Sequence, residues 1–321
     1  MWLTWRAAME RALYGENGFY LHERPSGHFR TSVGASGVFA GAVLRELLAV
    51  DEALGRPREI DLVDVGAGEG ALAARVAVLA PDDLRARLRV TAVDLAPRPP
   101  RLPEEITWSA VCPEEIHGLV IANEWLDNVP LDVVERTTDG LRLVLVDPAT
   151  GEERLGDPPS KADLAWLGRW WPTRGTGERA EIGRSRDDAW AGTVVRLARG
   201  RAVAVDYAHS AAGRPPYGTL TGYRDGASVV PVPDGSCDIT AHVALDACAA
   251  AGERAGAVTV ALTTQREALR TLGVTGTRPP AGLARTDPRG YLRALARASQ
   301  EAELIDPGGL GGFGWLVQER G

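Results

Sequence analysis

Apolar positions along the chain alternate between helical stripes, recurring every three or four residues, and short β-branched blocks. Residues 1–13 predict a helix with Leu3, Ala7 and Met9 turned inward. A stretch rich in glycine and aromatics follows, from Tyr14 to Tyr20 and again from Gly27 to Ser32. The helical pattern resumes from Gly37 to Leu54 and stops at Gly55-Arg56-Pro57, a strong terminator. Ile60–Val65 then reads as a buried strand, Ala71–Leu79 as a helix and Leu88–Val93 as a second strand. Together they make a strand–helix–strand unit with glycines at its first turn. Leu119–Ala122 is a further strand ending at Asn123-Glu124. Val133–Arg136 and Leu141–Val146 pattern as a hairpin about Asp139-Gly140. Residues 147–180 are rich in Pro, Gly and charge around the apolar Leu164–Trp171, the signature of an insertion or lid. Ala202–Val205 and Val258–Leu262 are strands again. Between them a short helix closes at Cys248–Gly252, beyond Asp238-Ile239-Thr240. The alternation predicts an α/β fold.

Composition narrows the chemistry. The chain of 321 residues is 25% charged and 45% hydrophobic with net charge −7, as expected of a globular enzyme and unlike a disordered or membrane protein. Of 36 basic residues only Lys161 is lysine, leaving 35 arginines. Lys161 follows Asp157-Pro158-Pro159-Ser160 with no phosphate loop before it, which argues against Schiff-base, pyridoxal and P-loop chemistry. Cys112, Cys237 and Cys248 show no metal-ligand spacing, so no metal is expected, and they suit a reducing cytoplasm. Arg6, Glu10 and Arg11 interrupt any signal-peptide core, and Thr31–Leu44 is too short to span a bilayer, so no membrane partner is expected. The acidic balance argues against nucleic acid, whose phosphates attract cations.

The sharpest local pattern is Asp64-Val65-Gly66-Ala67-Gly68-Glu69-Gly70, between a strand end and a helix start. Glycines serve where backbone approaches a ligand or takes positive φ, and helix N-termini favour electronegative atoms. The spacing is G-x-G-x-G, whereas the dinucleotide fingerprint places its third glycine one residue later. An acid followed by G-x-G-x-G resembles motif I of class I S-adenosylmethionine (SAM) methyltransferases. Asp94 ends the next strand, where a carboxylate can accept both ribose hydroxyl protons. Dinucleotide binding and a ligand-free glycine turn are the alternatives.

Ile121-Ala122-Asn123-Glu124-Trp125-Leu126-Asp127-Asn128-Val129-Pro130 resembles the A-N-E-(F/L)-L-D-A-(L)-P segment of the MidA-type methyltransferases, which include a mitochondrial assembly factor of respiratory complex I. Val205-Asp206-Tyr207, Gly218-Thr219-Leu220 with Tyr223-Arg224, Cys237 to Val243, Thr264-Gln265 and Gly311 to Gln318 are similar to the family in the same order. The resemblance covers roughly 14–146 and 181–265 plus the end; 147–180 and 275–300 carry none of it. It implies a Rossmann-like class I sheet in one catalytic domain. Residues 1–58 would form a helical and loop cap over the SAM site, 59–146 the core, 147–185 an insertion or lid, and 186–321 further α/β elements. It also implies SAM as cofactor and an arginine of a partner protein as acceptor. The sequence departs from the family at His28, Val33 and Gly34, where Asp and a Pro-Glu pair are usual, and at Ala208, usually glycine. Those losses motivate a small molecule or modified peptide as the alternative acceptor, and a largely non-catalytic assembly factor is a third reading. The assembly state stays open, a homodimer included.

The expected site follows. Asp64, Gly66, Ala67, Gly68, Gly70 and Asp94 would bind the cofactor, with the Asn123 amide on its methionine part. A guanidinium is a poor nucleophile with a pKa above about 12, and carboxylates gripping it polarise one nitrogen. Glu124 and Asp127 are the catalytic candidates, because the strand ending at Asn123-Glu124 aims them toward the donor; a turn-capping role for Asp127 or Asn128 is the alternative. Asp206 and Tyr207 end a later strand and are candidates to face the acceptor, against a buried Asp–Tyr hydrogen bond. His242 is a base or substrate contact, against a structural histidine behind a helix cap at Asp238 and Thr240. Trp166, Trp170 and Trp171 fit a helix packing its aromatic side.

Overall fold

The computed structural model describes residues 1–22 and 37–321; the departures at His28, Val33 and Gly34 lie outside the described residues. Seven strands form the central sheet: β1 (Ile60–Val65), β2 (Leu88–Val93), β3 (Thr107–Ser109), β4 (Ile116–Asn123), β5 (Leu197–Asp206), β6 (Val258–Thr264) and β7 (Gly314–Arg320). Their spatial order is 3-2-1-4-5-7-6. β1 to β5 are parallel, while β7 runs antiparallel to both β5 and β6. The chain first winds outward from β1 to β3, then returns to β4 on the other side of β1. Such a reversal opens a crevice at the carboxyl ends of β1 and β4, where ligands of doubly wound sheets bind.

The uninterrupted apolar runs of β1, β4 and β5 are explained by helices on both faces. On one face Leu62, Ile121, Val203 and Val317 pack under Phe39 and Leu47 of Gly37–Ala53 and Leu72 and Val76 of Ala71–Leu79. On the other, Val63, Val120, Ala202 and Leu316 meet Trp190 and Val194 of Arg184–Val194 and Leu245 and Cys248 of Leu245–Arg254. Among the described residues no helix is long and apolar enough to cross a membrane.

A second, antiparallel sheet joins Leu3–Thr4, Gly140–Val146, Asp132–Thr137 and Arg179–Ile182, with Glu153–Leu155 beside Gly140–Val146. The expected hairpin at 132–146 therefore belongs to this sheet, together with strands from the segment read as an insertion. The first helix runs Trp5–Tyr14, not 1–13, because Thr4 caps it while Leu3 and Thr4 pair with Val146 and Leu145. Its inward face is Trp5, Ala8, Met9, Ala12 and Leu13; Ala7 is exposed, a one-residue rotation from the expected face. Trp166 and Trp171 are buried against the second sheet, as the aromatic stripe suggested.

The last strand carries a buried polar anchor that hydropathy conceals. Gln318 is fully buried; its Oε1 accepts from Trp190 Nε1 at 2.8 Å, and its Nε2 donates to the Ala249 carbonyl at 2.7 Å and to Thr259 Oγ1 at 2.9 Å. Gln318→Leu removes the partner of two buried groups and of the half-buried Thr259 hydroxyl. It is expected to lower unfolding stability by about 2–4 kcal/mol in urea titration; a loss under about 1 kcal/mol would show that the network does not hold β7 in place.

Candidate active site at the carboxyl ends of the sheet

The loop after β1 is tied over the end of β2. The Gly66 and Ala67 amides donate to the Val93 carbonyl at 2.9 and 3.1 Å, and the Gly68 amide donates to Asp94 Oδ2 at 2.8 Å. Asp94 Oδ1 accepts the Ala96 amide at 2.9 Å, so this half-buried carboxylate organises both loops, and each oxygen keeps a lone pair for a ligand hydroxyl. Gly66, Gly68 and Gly70 all have positive φ, but space separates them. A Cβ would lie 2.6 Å from Trp125 at Gly66 and 2.6 Å from Leu102 at Gly70, whereas at Gly68 nothing lies within 4 Å. Gly68 thus borders open space, and its neighbours seat the loop.

Two buried acceptors beside this loop have no donor among the described residues: Asp64 Oδ2 and Asn123 Oδ1. They sit at the ends of adjacent strands, β1 and β4. Burial pushes the Asp64 carboxyl up to about 7, opposed by a hydrogen bond from the Ala73 amide and reinforced by the charge of Asp94. Asn123 Nδ2 donates to Glu124 Oε1 at 3.0 Å. An open glycine cradle with orphaned acceptors on both flanking strands fits a ligand with an ammonium group and a sugar.

Beyond β4 the chain turns sharply. Glu124 takes φ 52°, and its amide donates to the Val205 carbonyl at 2.8 Å. The turn Leu126–Asn128 is capped from β5: Asp206 Oδ2 accepts the amides of Trp125, Leu126 and Asp127 at 3.2, 2.9 and 3.2 Å. Asp127 is therefore not the cap; its Oδ2 accepts from Thr240 Oγ1 at 2.6 Å. Asp238–Thr240 is a strand and caps no helix, contrary to the sequence-based expectation, because it pairs with Thr221–Arg224. Asn128 Nδ2 donates to Asp238 Oδ1 at 3.0 Å, and the Tyr20 hydroxyl donates to the same atom at 2.7 Å.

Under this turn lies Arg186, 1% exposed. It donates to the carbonyls of Val129 at 3.1 Å, Ala241 at 2.8 Å and His242 at 3.0 Å, and to that of Asp127. Arg186 was missed by motif reading, yet it shares the spacing of Trp190 and Val194 in its helix. An arginine on an apolar stripe was the available signal.

Glu124, Asp127, Asp206 and Tyr207 are thus brought to one end of the sheet. Tyr207 stacks on His242 with centroids 5.6 Å apart and lies tilted against Phe313 at 4.1 Å. His242 is an exposed rim residue whose amide donates to Thr219 Oγ1 at 2.8 Å. The Asp206–Tyr207 hydrogen bond weighed as the alternative is absent among the described contacts, and Asp206 Oδ2 serves the turn. His209 stands behind them: Arg214 Nη1 lies 2.6 Å from its Nδ1, and burial, Arg214 and His242 push the imidazole down to about 3. Ala208 sits where a Cβ on Gly314 would come within 2.6 Å, so the glycine at 314 absorbs the extra methyl.

Strand order 3-2-1-4-5-7-6 with β7 reversed, and this site at the switch point, define a class I SAM-dependent methyltransferase. Residues 42–263 match the family described as "Putative S-adenosyl-L-methionine-dependent methyltransferase", and the chain belongs to that MidA-like family. A protein from Burkholderia thailandensis, described as a "likely methyl transferase" and bound to S-adenosyl-homocysteine, is 26% identical over 99% of this chain and 88% of that one, with a TM-score of 0.80. A second structure of that superfamily from the same organism is 28% identical over 99% and 87% of the two chains, at a TM-score of 0.78. Among curated proteins none matches the chain.

Gly68→Arg is expected to fold, because open space receives the side chain and its positive φ costs only about 1–2 kcal/mol. The variant is nevertheless expected to lose SAM binding in calorimetry; wild-type affinity in a folded variant would remove Gly68 from the site. Asp64 carries a pH signature. Its carboxyl is neutral below about 7 and anionic above, so the cationic donor is expected to bind more tightly as pH rises through that value. Asp64→Asn flattens the slope; a slope unchanged in the variant assigns it elsewhere.

Proposed function

We propose that the chain transfers a methyl group from SAM to a side-chain nitrogen of arginine in a partner protein. The observation carrying this reading is the set of three carboxyl groups, Glu124, Asp127 and Asp206, gathered at the ends of β4 and β5 next to the glycine cradle. A guanidinium stays cationic throughout and needs anionic partners that hold it while one nitrogen is turned to the methyl. When bound, SAM supplies an electrophilic methyl on a sulfonium.

The chain's own residues do the rest. Gly66, Ala67, Gly68 and Gly70 shape the cradle, Asp94 takes the ribose hydroxyls, and Asp64 and Asn123 take the methionine ammonium. Glu124 and Asp127 grip the acceptor guanidinium, and the stacked Tyr207 and His242 rings receive its aliphatic stem. Correct alignment is the main source of rate in such a displacement. Ala208, one of the departures from the family, packs against Gly314, whose lack of a side chain makes room for its methyl.

Incubation of the protein with methyl-labelled SAM and cell extract is expected to place label on arginine in a separate polypeptide, resolved from the chain because its own 35 arginines invite self-methylation. Glu124→Gln is expected to lower that transfer about 100-fold while SAM affinity stays within about threefold. Label confined to small molecules would favour the alternative acceptor. A partner that still binds with no label anywhere would make the chain a non-catalytic assembly factor.

A further inference from the structure

We propose that Glu181 is a positioning residue for the acceptor. From a strand outside the crevice it fixes the main chain at His242 through the Thr219 hydroxyl, and so sets acceptor affinity while touching neither acceptor nor SAM. The inference rests on the reading above, in which the Tyr207 and His242 rings receive the acceptor.

That reading gives Glu181 no role, yet its side chain is buried, at 2% exposure, in the short strand Arg179–Ile182 of the second sheet. A buried carboxylate is costly unless donors meet it. Here they come from one turn. Glu181 Oε1 accepts the Leu220 amide at 2.7 Å and the Thr219 amide as well, and Oε2 accepts the Thr219 hydroxyl at 2.8 Å. Gly218 has φ 75°, and a Cβ there would lie 2.8 Å from Glu181 Oε1. The turn at 218–220 is thus folded around this carboxylate, with successive amides aimed at an anion. Burial pushes the carboxyl up, while the Thr219 and Leu220 donors and the charge of Arg186 oppose that.

Two routes lead from the turn to the site. The first is the Thr219 hydroxyl. Its single proton goes to Glu181, which leaves a lone pair to accept the His242 amide at 2.8 Å. The carbonyl of His242 accepts from Arg186 Nη1 at 3.0 Å. The main chain at 242 is therefore held on its amide side through Glu181 and on its carbonyl side by Arg186, two buried side chains of opposite charge. Held in this way, the His242 ring lies over Tyr207 with an interplanar angle of 28°.

The second route runs through Leu220 into the strand Thr221–Arg224. Thr221 pairs with Thr240, whose hydroxyl donates to Asp127 Oδ2 at 2.6 Å. One turn thus steadies both the ring that receives the acceptor stem and a carboxyl that grips its head. The donor side is held separately, since the Gly66, Ala67 and Gly68 amides go to Val93 and Asp94. Loss of the Glu181 anchor should fall on the acceptor and leave SAM in place.

The test compares two variants of the full chain: Thr219→Val, which keeps the shape and removes the hydroxyl, and Thr219→Ser, which keeps the hydroxyl. With methyl-labelled SAM and an arginine peptide as probe, Thr219→Val is expected to raise the peptide KM about tenfold. Its kcat and its Kd for S-adenosyl-homocysteine are expected to stay within about threefold of wild type. Thr219→Ser is expected to bring KM back to within about threefold, and Glu181→Ala to match Thr219→Val. A KM in Thr219→Val within about threefold of wild type would overturn the proposal. So would a joint fall of kcat and cofactor affinity, the pattern of a general loss of structure.

A second readout needs no activity. Proton NMR of labelled aromatic side chains is expected to show contacts between the Tyr207 and His242 rings in wild type and in Thr219→Ser, and to lose them in Thr219→Val. Contacts that persist in Thr219→Val overturn the positioning role. A wild type that transfers nothing to arginine, with ring contacts that respond as expected, would overturn the guanidinium reading and not the positioning.

Discussion

One carboxylate oxygen, Asp206 Oδ2, receives three consecutive amides from the turn that follows β4. That contact crosses from β5 to β4 and fixes where Glu124 and Asp127 stand. Without it the turn would leave three amides at the protein interior with no partner, at a cost of about 1–3 kcal/mol each. Arg186 performs the complementary task from below, collecting the carbonyls of Asp127, Val129, Ala241 and His242. One carboxyl gathers the amides and one guanidinium gathers the carbonyls, so the turn's main-chain groups are satisfied from both sides. The donor and acceptor halves of the site meet across it.

The parallel strands supply the other constraint. β1 and β4 are neighbours whose crossover connections leave in opposite directions, so a crevice opens at their carboxyl ends, where Asp64 and Asn123 lie two residues apart in register. The glycine loop fills part of that gap, with Gly66 and Gly70 packed against side chains and Gly68 facing open space. The fold has thus stored unsatisfied acceptors at one place, which suits a cationic, hydroxyl-bearing ligand and would otherwise only destabilise it.

Much of this was legible in the sequence. Ile60–Val65, Ala71–Leu79 and Leu88–Val93 form as expected because local period, β-branching and glycine punctuation all agree there. The family follows from the segment around Asn123 and Glu124, and the matching of residues 42–263 shows it. Harder to read was what depends on distant partners. Leu3 and Thr4 look helical until Val146 and Leu145 pair with them. Asp238–Thr240 looks like a helix cap until Tyr223, Gly222 and Thr221 recruit it into a strand. Arg186 in its helix and Gln318 in its strand look like surface residues, and both are buried because their polar atoms meet main-chain and side-chain partners remote in sequence. Asp206 was expected to meet the acceptor; the capping role of its Oδ2 could not be seen without the turn it serves.

The central claim is geometric, and a crystal structure of the protein with S-adenosyl-homocysteine and an arginine-containing peptide tests it most directly. The account predicts the guanidinium within hydrogen-bond distance, about 3 Å, of the Glu124 and Asp127 carboxylates, with one nitrogen facing the homocysteine sulfur and the stem along Tyr207. A guanidinium bound elsewhere, or a site that accepts the cofactor product and excludes the peptide, would contradict it.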